Sequence, residues 1–207
     1  EGAHARAAYF LHTGYKEGQG GLTYPSLGAI ASMETGNPLL PIPNFVTING
    51  GRSYGSGYLG SKHQPLNIAD ASKGVANLGA LVGDNQFNSR VSLLNEMEKA
   101  FLKDYSSEAG AAHQTTYQRA VTMMKSAQAK AFDISGEPSN LRSEYGSGKF
   151  GEGCLLARRL VETGVRFVEV NLGGWDTHEN NFERVKSLSA QVDAGMSTLI
   201  SDLNQRG

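Results

Sequence analysis

A carboxylate and an imidazole, Asp176 and His178, lie two positions apart in the run Gly173-Gly174-Trp175-Asp176-Thr177-His178. On an extended segment residues i and i+2 project to the same side, so both side chains could face one cation. The expected cofactor is a divalent metal: zinc, manganese or calcium. An oxygen donor beside a nitrogen donor suits zinc, manganese or iron better than calcium. Two ligands do not hold a catalytic metal, and a third is required. The competing reading makes Asp176 the cap of a helix beginning near Glu179, with His178 exposed and Asn180 an equal candidate for that cap. Trp175, the only Trp, could wall a pocket, and Gly173 and Gly174 let the backbone turn sharply beside it.

The elements around this run give it its interest. Residues 165–172 form the best strand candidate in the chain, and in open α/β sheets ligands bind just beyond the carboxyl ends of strands. The spacing predicts a helix over 152–163, with Leu155, Leu156, Leu160 and Val161 inward and Arg158, Arg159 and Glu162 outward, stopped by Gly164 in a left-handed conformation. A long amphipathic helix follows the loop, with Phe182, Val185, Leu188, Val192, Met196, Leu199, Ile200 and Leu203 on one face. Its expected partners are the sheet and a neighbouring helix.

Upstream, residues 2–12 read as a short helix ended by Gly14. It places His4 and His12 on a similar side, about two turns apart, and either could supply a ligand or a proton. Pro25 reads as the first residue of a helix running to about Glu34, and 44–49 as a second strand. Residues 50–87 read as irregular, and Gly55-Ser56-Gly57 within them could cradle an anion. Helical stripes recur at Val91, Leu94, Met97, Phe101 and Leu102 after an Asn88 or Ser89 cap, and again from Tyr117 to Ala131. Glu137-Pro138 opens a further helix closed at Gly146. His63 and His113 fall in polar, exposed segments, and Asp70 and Asp84 have no visible partner. Helix, strand, helix in succession implies a largely parallel α/β sheet. Two strands are few for so many helices, so the chain reads as an internal portion of a larger fold.

The totals exclude several functions. Nineteen Lys and Arg against 20 Asp and Glu give a formal charge of −1, with no electrostatic case for nucleic acid or an anionic membrane. No apolar run approaches the ~20 residues that span a bilayer. Residues 1–20 lack a basic-then-apolar export pattern. The single Cys154, among Leu155, Leu156 and Ala157, reads as a buried core thiol, and Met123 and Met124 as core filler. Nucleophile-elbow, Walker and His-Glu-x-x-His patterns are missing.

Several phrases together resemble a bacterial family, domain of unknown function 1501, itself related to the alkaline phosphatase and sulfatase superfamily. They are Leu11-His12-Thr13-Gly14-Tyr15, Tyr24-Pro25-Ser26-Leu27-Gly28, Gly57-Tyr58-Leu59-Gly60, Ala131-Phe132-Asp133-Ile134-Ser135, Cys154-Leu155-Leu156-Ala157-Arg158-Arg159, and Gly164-Val165-Arg166-Phe167-Val168 leading into Gly173 to His178. The resemblance covers nearly the whole chain. It implies a three-layer α/β/α alkaline-phosphatase-like sheet, of which 1–207 is the central portion of a single domain. It also implies a sulfatase- or phosphatase-like metal-dependent hydrolase of small phosphate or sulfate esters, with Asp176 and His178 as ligands. Superfamily members usually separate that Asp and His by three residues. Only Thr177 intervenes here, and Asn180 takes the position four after Asp176. The resemblance further implies an exported protein whose first strand, with an early metal Asp and a candidate nucleophile, precedes Glu1, and whose last ligand phrases follow Gly207. A non-catalytic envelope or surface binding protein that retains the fold is the alternative.

Overall fold

The computed structural model describes residues 3–50, 54–105 and 107–207. Its helices are α1 (His4–Thr13), α2 (Leu27–Thr35), α3 (Asp84–Asp104), α4 (Glu108–Met124), α5 (Ser139–Glu144), α6 (Lys149–Thr163) and α7 (Asn181–Arg206). Its strands are β1 (Phe45–Ile48), β2 (Leu66–Ile68) and β3 (Phe167–Val170). The described residues are thus a mixed α/β arrangement, mostly helical, with a small parallel sheet in the order β2-β1-β3.

β1 is central, paired Ile48 to Ile68 on one side and Ile48 to Val170 on the other. Its four residues are all buried, as a parallel strand covered on both faces requires, which is why Phe45-Val46-Thr47-Ile48 is an apolar run and not an alternation. Glycines mark the closest helix approaches. A Cβ on Gly28 of α2 would stand 2.4 Å from the Phe45 ring, and one on Gly153 of α6 would stand 2.8 Å from Val170 Cγ1 and 3.3 Å from Ile48 Cγ2. Phe45 and Ile48 project to opposite faces, so helices lie against both sides of the sheet. Because all strands run the same way, Asn49, Ala69 and Asn171 share one edge, and Pro43 and Pro65 the other.

Several expectations need correction. A third strand, β2, lies inside the stretch read as irregular. Ser26, whose Oγ accepts from Ala29 N at 3.4 Å, caps α2, so Pro25 precedes the helix instead of opening it. α3 begins at Asp84, four residues before the expected Asn88, and none of its residues is buried; it packs on α4. The second stripe is broken after Met124, and Ala127–Phe132 is a separate 3-10 turn. In α6 the amphipathic reading fails at two positions: Arg158 is 2% exposed and Val161 is turned outward. α7 packs chiefly on α6, leaving Phe182, Met196 and Ile200 exposed while Val192 and Leu199 reach the core. Gly14 ends α1 as expected, at φ 77°, and Gly164 takes the expected left-handed cap, at φ 105°. Gly2, the expected first residue of α1, lies outside the described residues. Cys154 is a buried core thiol, pushed up to about 11 by burial and so inert.

Candidate metal-ligand cluster

β3 leaves the sheet without losing contact with it. Asn171 N donates to Ile48 O at 3.0 Å, and its side-chain Nδ2 reaches the same oxygen at 3.3 Å and Glu169 Oε1 at 3.2 Å. The chain then turns at Gly174, whose φ of 95° is open to glycine and costly for other residues. Asp176 follows in the loop between β3 and α7, five residues past the Asn171 tie to β1.

Three of the residues singled out in the sequence meet there. His178 Nε2 lies 2.9 Å from Asp176 Oδ1, and His4 Nε2, from the first turn of α1, lies 3.7 Å from Asp176 Oδ2. Both oxygens of one carboxylate thus face an imidazole nitrogen. Asn180 does not join them. It adopts a left-handed conformation (φ 50°) ahead of α7 and makes no side-chain cap, while Thr177 Oγ1 bonds Asn181 Oδ1. The cap reading of Asp176 finds no bond to support it. The cluster is open to solvent, with the Asp176 side chain 58% and both His side chains 85% exposed. Ion pairs this exposed contribute little to stability.

His12, two turns along α1, lies 3.6 Å from Glu169 Oε2 and against the Tyr54 ring, centroids 4.9 Å apart. Glu169 was missed from sequence. Its signal is a lone carboxylate inside the apolar run from Val165 to Leu172. At the same edge Asn49 ends β1 with φ 70°, donates Nδ2 to Lys149 O at 2.6 Å, and leaves a buried Oδ1 without a partner. Asp70, two residues past β2, does have partners: Ser72 donates from Oγ at 2.6 Å and N at 3.1 Å, and Lys149 Nζ is 3.7 Å away. The Ser72 bonds hold its carboxyl below the usual range.

Trp175 walls a shallow hollow of about 550 Å³ with Ser189, Ala190, Val192 and Asp193. Gly173 has open space around it and no positive φ, so the turn is made at Gly174 alone. Of the 50–60 loop, residues 51–53 lie outside the described residues. His63 is half-buried and bonded to Ser32 Oγ at 3.2 Å, its pKa lowered by burial and by Lys62 and Arg119. His113 is exposed but bonded to Glu98 at 2.7 Å.

The donor types fit a divalent transition metal, a carboxylate with two imidazoles. Their convergence is incomplete, because each imidazole addresses a different oxygen. No group of three or more His, Cys, Asp or Glu among the described residues is arranged to hold an ion. A family model described as "Protein of unknown function (DUF1501)" matches residues 1–207. No curated protein and no solved structure matches the chain.

Proposed function

Since the chain belongs to the DUF1501 family along residues 1–207, we propose that it contributes half of a metal site to a sulfatase- or phosphatase-like hydrolase of small phosphate or sulfate esters. Asp176 and His178 are ligands in this reading, and His4, which faces the other carboxylate oxygen, is a candidate for a third. The observation that carries it is the meeting of His4, Asp176 and His178 on the loop that follows a strand of a parallel sheet. Helices against both faces of that sheet support the three-layer alkaline-phosphatase-like architecture that the proposal assumes.

A bound metal would polarise the ester oxygen and lower the pKa of a nucleophile. The chain's own residues do the positioning. Asn171 ties the loop to β1, Gly174 turns it, and Trp175 walls the hollow against α7. Glu169 holds His12 close by, a base within the same edge. The proposal assigns the nucleophile and remaining ligands to segments outside residues 1–207, and the protein to a location outside the cytoplasm. No helix among the described residues is long and apolar enough to cross a membrane.

The test is elemental analysis of the full-length protein beside its Asp176→Ala and His178→Ala variants. Loss of bound zinc or manganese in both is expected, and unchanged stoichiometry defeats the assignment. The solvent exposure of all three donors favours a second reading, a non-catalytic surface binding protein on the same fold. Hydrolysis of p-nitrophenyl phosphate or sulfate by the metal-loaded wild type, lost in D176A, decides between the two.

A further inference from the structure

The opposite edge of the sheet carries a different feature. A groove of about 430 Å³ runs between α4 and the segments leading into β1 and β2. Pro38, Pro41, Pro43 and Pro65 form its walls, and Ile42, Leu66 and Met123 bring core side chains to its surface. Proline rings fix the wall backbone, so little ordering is left to be done on binding. Thr115 and Thr116 turn their hydroxyls back to Ala111 O and Ala112 O, each at 2.9 Å, so these hydroxyls are already engaged within α4.

Two cations stand among these residues, Lys62 and Arg119, and no lining residue is acidic. Arg119 Nη1 donates to Ser61 O at 2.7 Å, which anchors the guanidinium. No carboxylate pairs with Arg119 among the described residues. Burial holds its pKa below the ordinary value, and burial, followed by Lys62 and Arg119, pushes that of the neighbouring His63 down. A guanidinium carries five donors, and one carbonyl engages few of them. The volume lies within the ~300–1,000 Å³ of small-molecule sites.

We propose that this groove binds a small amphipathic monoanion, an aliphatic chain ending in a carboxylate, with Arg119 taking the headgroup and the proline-lined walls the tail. A flat carboxylate matches the guanidinium fork, and a single anchored cation matches a single negative charge. Lys62, more exposed, adds attraction at the mouth.

The experiment is calorimetric titration of the full chain with octanoate and with 1-octanol, on wild type and Arg119→Met. Saturable one-to-one binding of octanoate is expected, weakened about 10- to 100-fold in R119M, the scale of a lost charge-assisted hydrogen bond, and similarly weaker for the alcohol. Equal binding by R119M, equal binding of the alcohol, or no saturable binding overturns the proposal. A groove closed by a second copy of the chain would appear as a dimer that octanoate does not dissociate, and also overturns it. Should R119M fail to fold, amide shifts in the wild type decide: octanoate must move Leu66, Ala120, Thr122 and Met123, and shifts elsewhere or none refute it.

Discussion

Replacing Arg158 by Met should cost this protein more stability than any other single change to its charged side chains. Arg158 is buried between α6, α7 and the turn before α5. Its Nη2 lies 2.6 Å from Glu137 Oε2, its Nη1 2.8 Å from Glu162 Oε2, and its Nε 3.1 Å from Asp202 Oδ2. Tyr145 OH, itself buried, donates to the same Asp202 oxygen at 2.9 Å. Removing one member of a buried ion pair costs about 3–5 kcal/mol, because the other charge is left without compensation. Here the abandoned carboxylates keep second partners, Arg159 on Glu137 and Arg206 at 2.5 Å on Asp202, which argues for the lower end, about 3 kcal/mol. For a chain of this size that is a fall in Tm of roughly 6–12 °C. The pH dependence carries a sign. Burial opposes the charged forms of Glu137 and Asp202. The hydrogen bonds from Arg158 and Arg159 to the first, and from Arg206 and Tyr145 to the second, outweigh it and hold both pKa values below the ordinary range. Carboxyls depressed in the folded state stabilise it above their unfolded pKa, and that contribution is lost as pH falls through the folded values. The gap between wild type and R158M should therefore be widest at neutral pH and shrink below about pH 4. Urea unfolding followed by circular dichroism across that range measures it. An R158M variant within about 1 kcal/mol of wild type, or a gap that does not narrow in acid, refutes this account.

Gly153→Ala places a methyl 2.8 Å from Val170 Cγ1 and from Asn49 Nδ2. The overpacking cost of about 1–3 kcal/mol should exceed the ~1 kcal/mol gain in helix propensity, and calorimetry should show a lower Tm. Gly164→Ala, at φ 105°, should destabilise by about 1–2 kcal/mol, read as a lower urea midpoint. In metal-free protein Asp176→Ala should leave Tm unchanged, since an ion pair this exposed adds little, so any loss of metal in that variant reports ligation and not unfolding. Cys154 should resist a thiol reagent in native buffer and react at once in denaturant, as burial and a thiol pushed up to about 11 require.

What the sequence made legible follows from local physics. The α6 to β3 unit was readable because Leu155, Leu156 and Leu160 repeat at helical spacing and Gly164 punctuates the turn into an apolar run. The loop after β3 was readable because its glycines and its acid–imidazole pair are unusual together. β2 was not, since three residues after Pro65 are too short for any periodicity to register. Arg158 was assigned outward by its charge, because the three carboxylates that make its burial tolerable come from positions as distant as Asp202. The stripe on α3 has true helical spacing but faces outward at Met97 and Phe101, since periodicity shows that a face is apolar and not what covers it. His4 was only one candidate among several until α1 was set beside the loop after β3. Glu169 and His12 meet across 157 positions (169 − 12), a separation that no local pattern encodes.

Helix α1 carries both imidazoles that reach the sheet edge, and it is pinned between them. Tyr9 is buried, its hydroxyl accepts from Tyr24 N at 2.8 Å, and its ring meets Tyr54 edge-on. His4 lies five residues to one side of that pin and His12 three to the other, arms of roughly 7.5 and 4.5 Å at 1.5 Å per residue. Tyr54 holds the same helix at a second point, its hydroxyl donating to Ala5 O at 3.1 Å. One rigid helix therefore carries both imidazoles, and any change that shifts α1 as a body alters both acid–imidazole distances together.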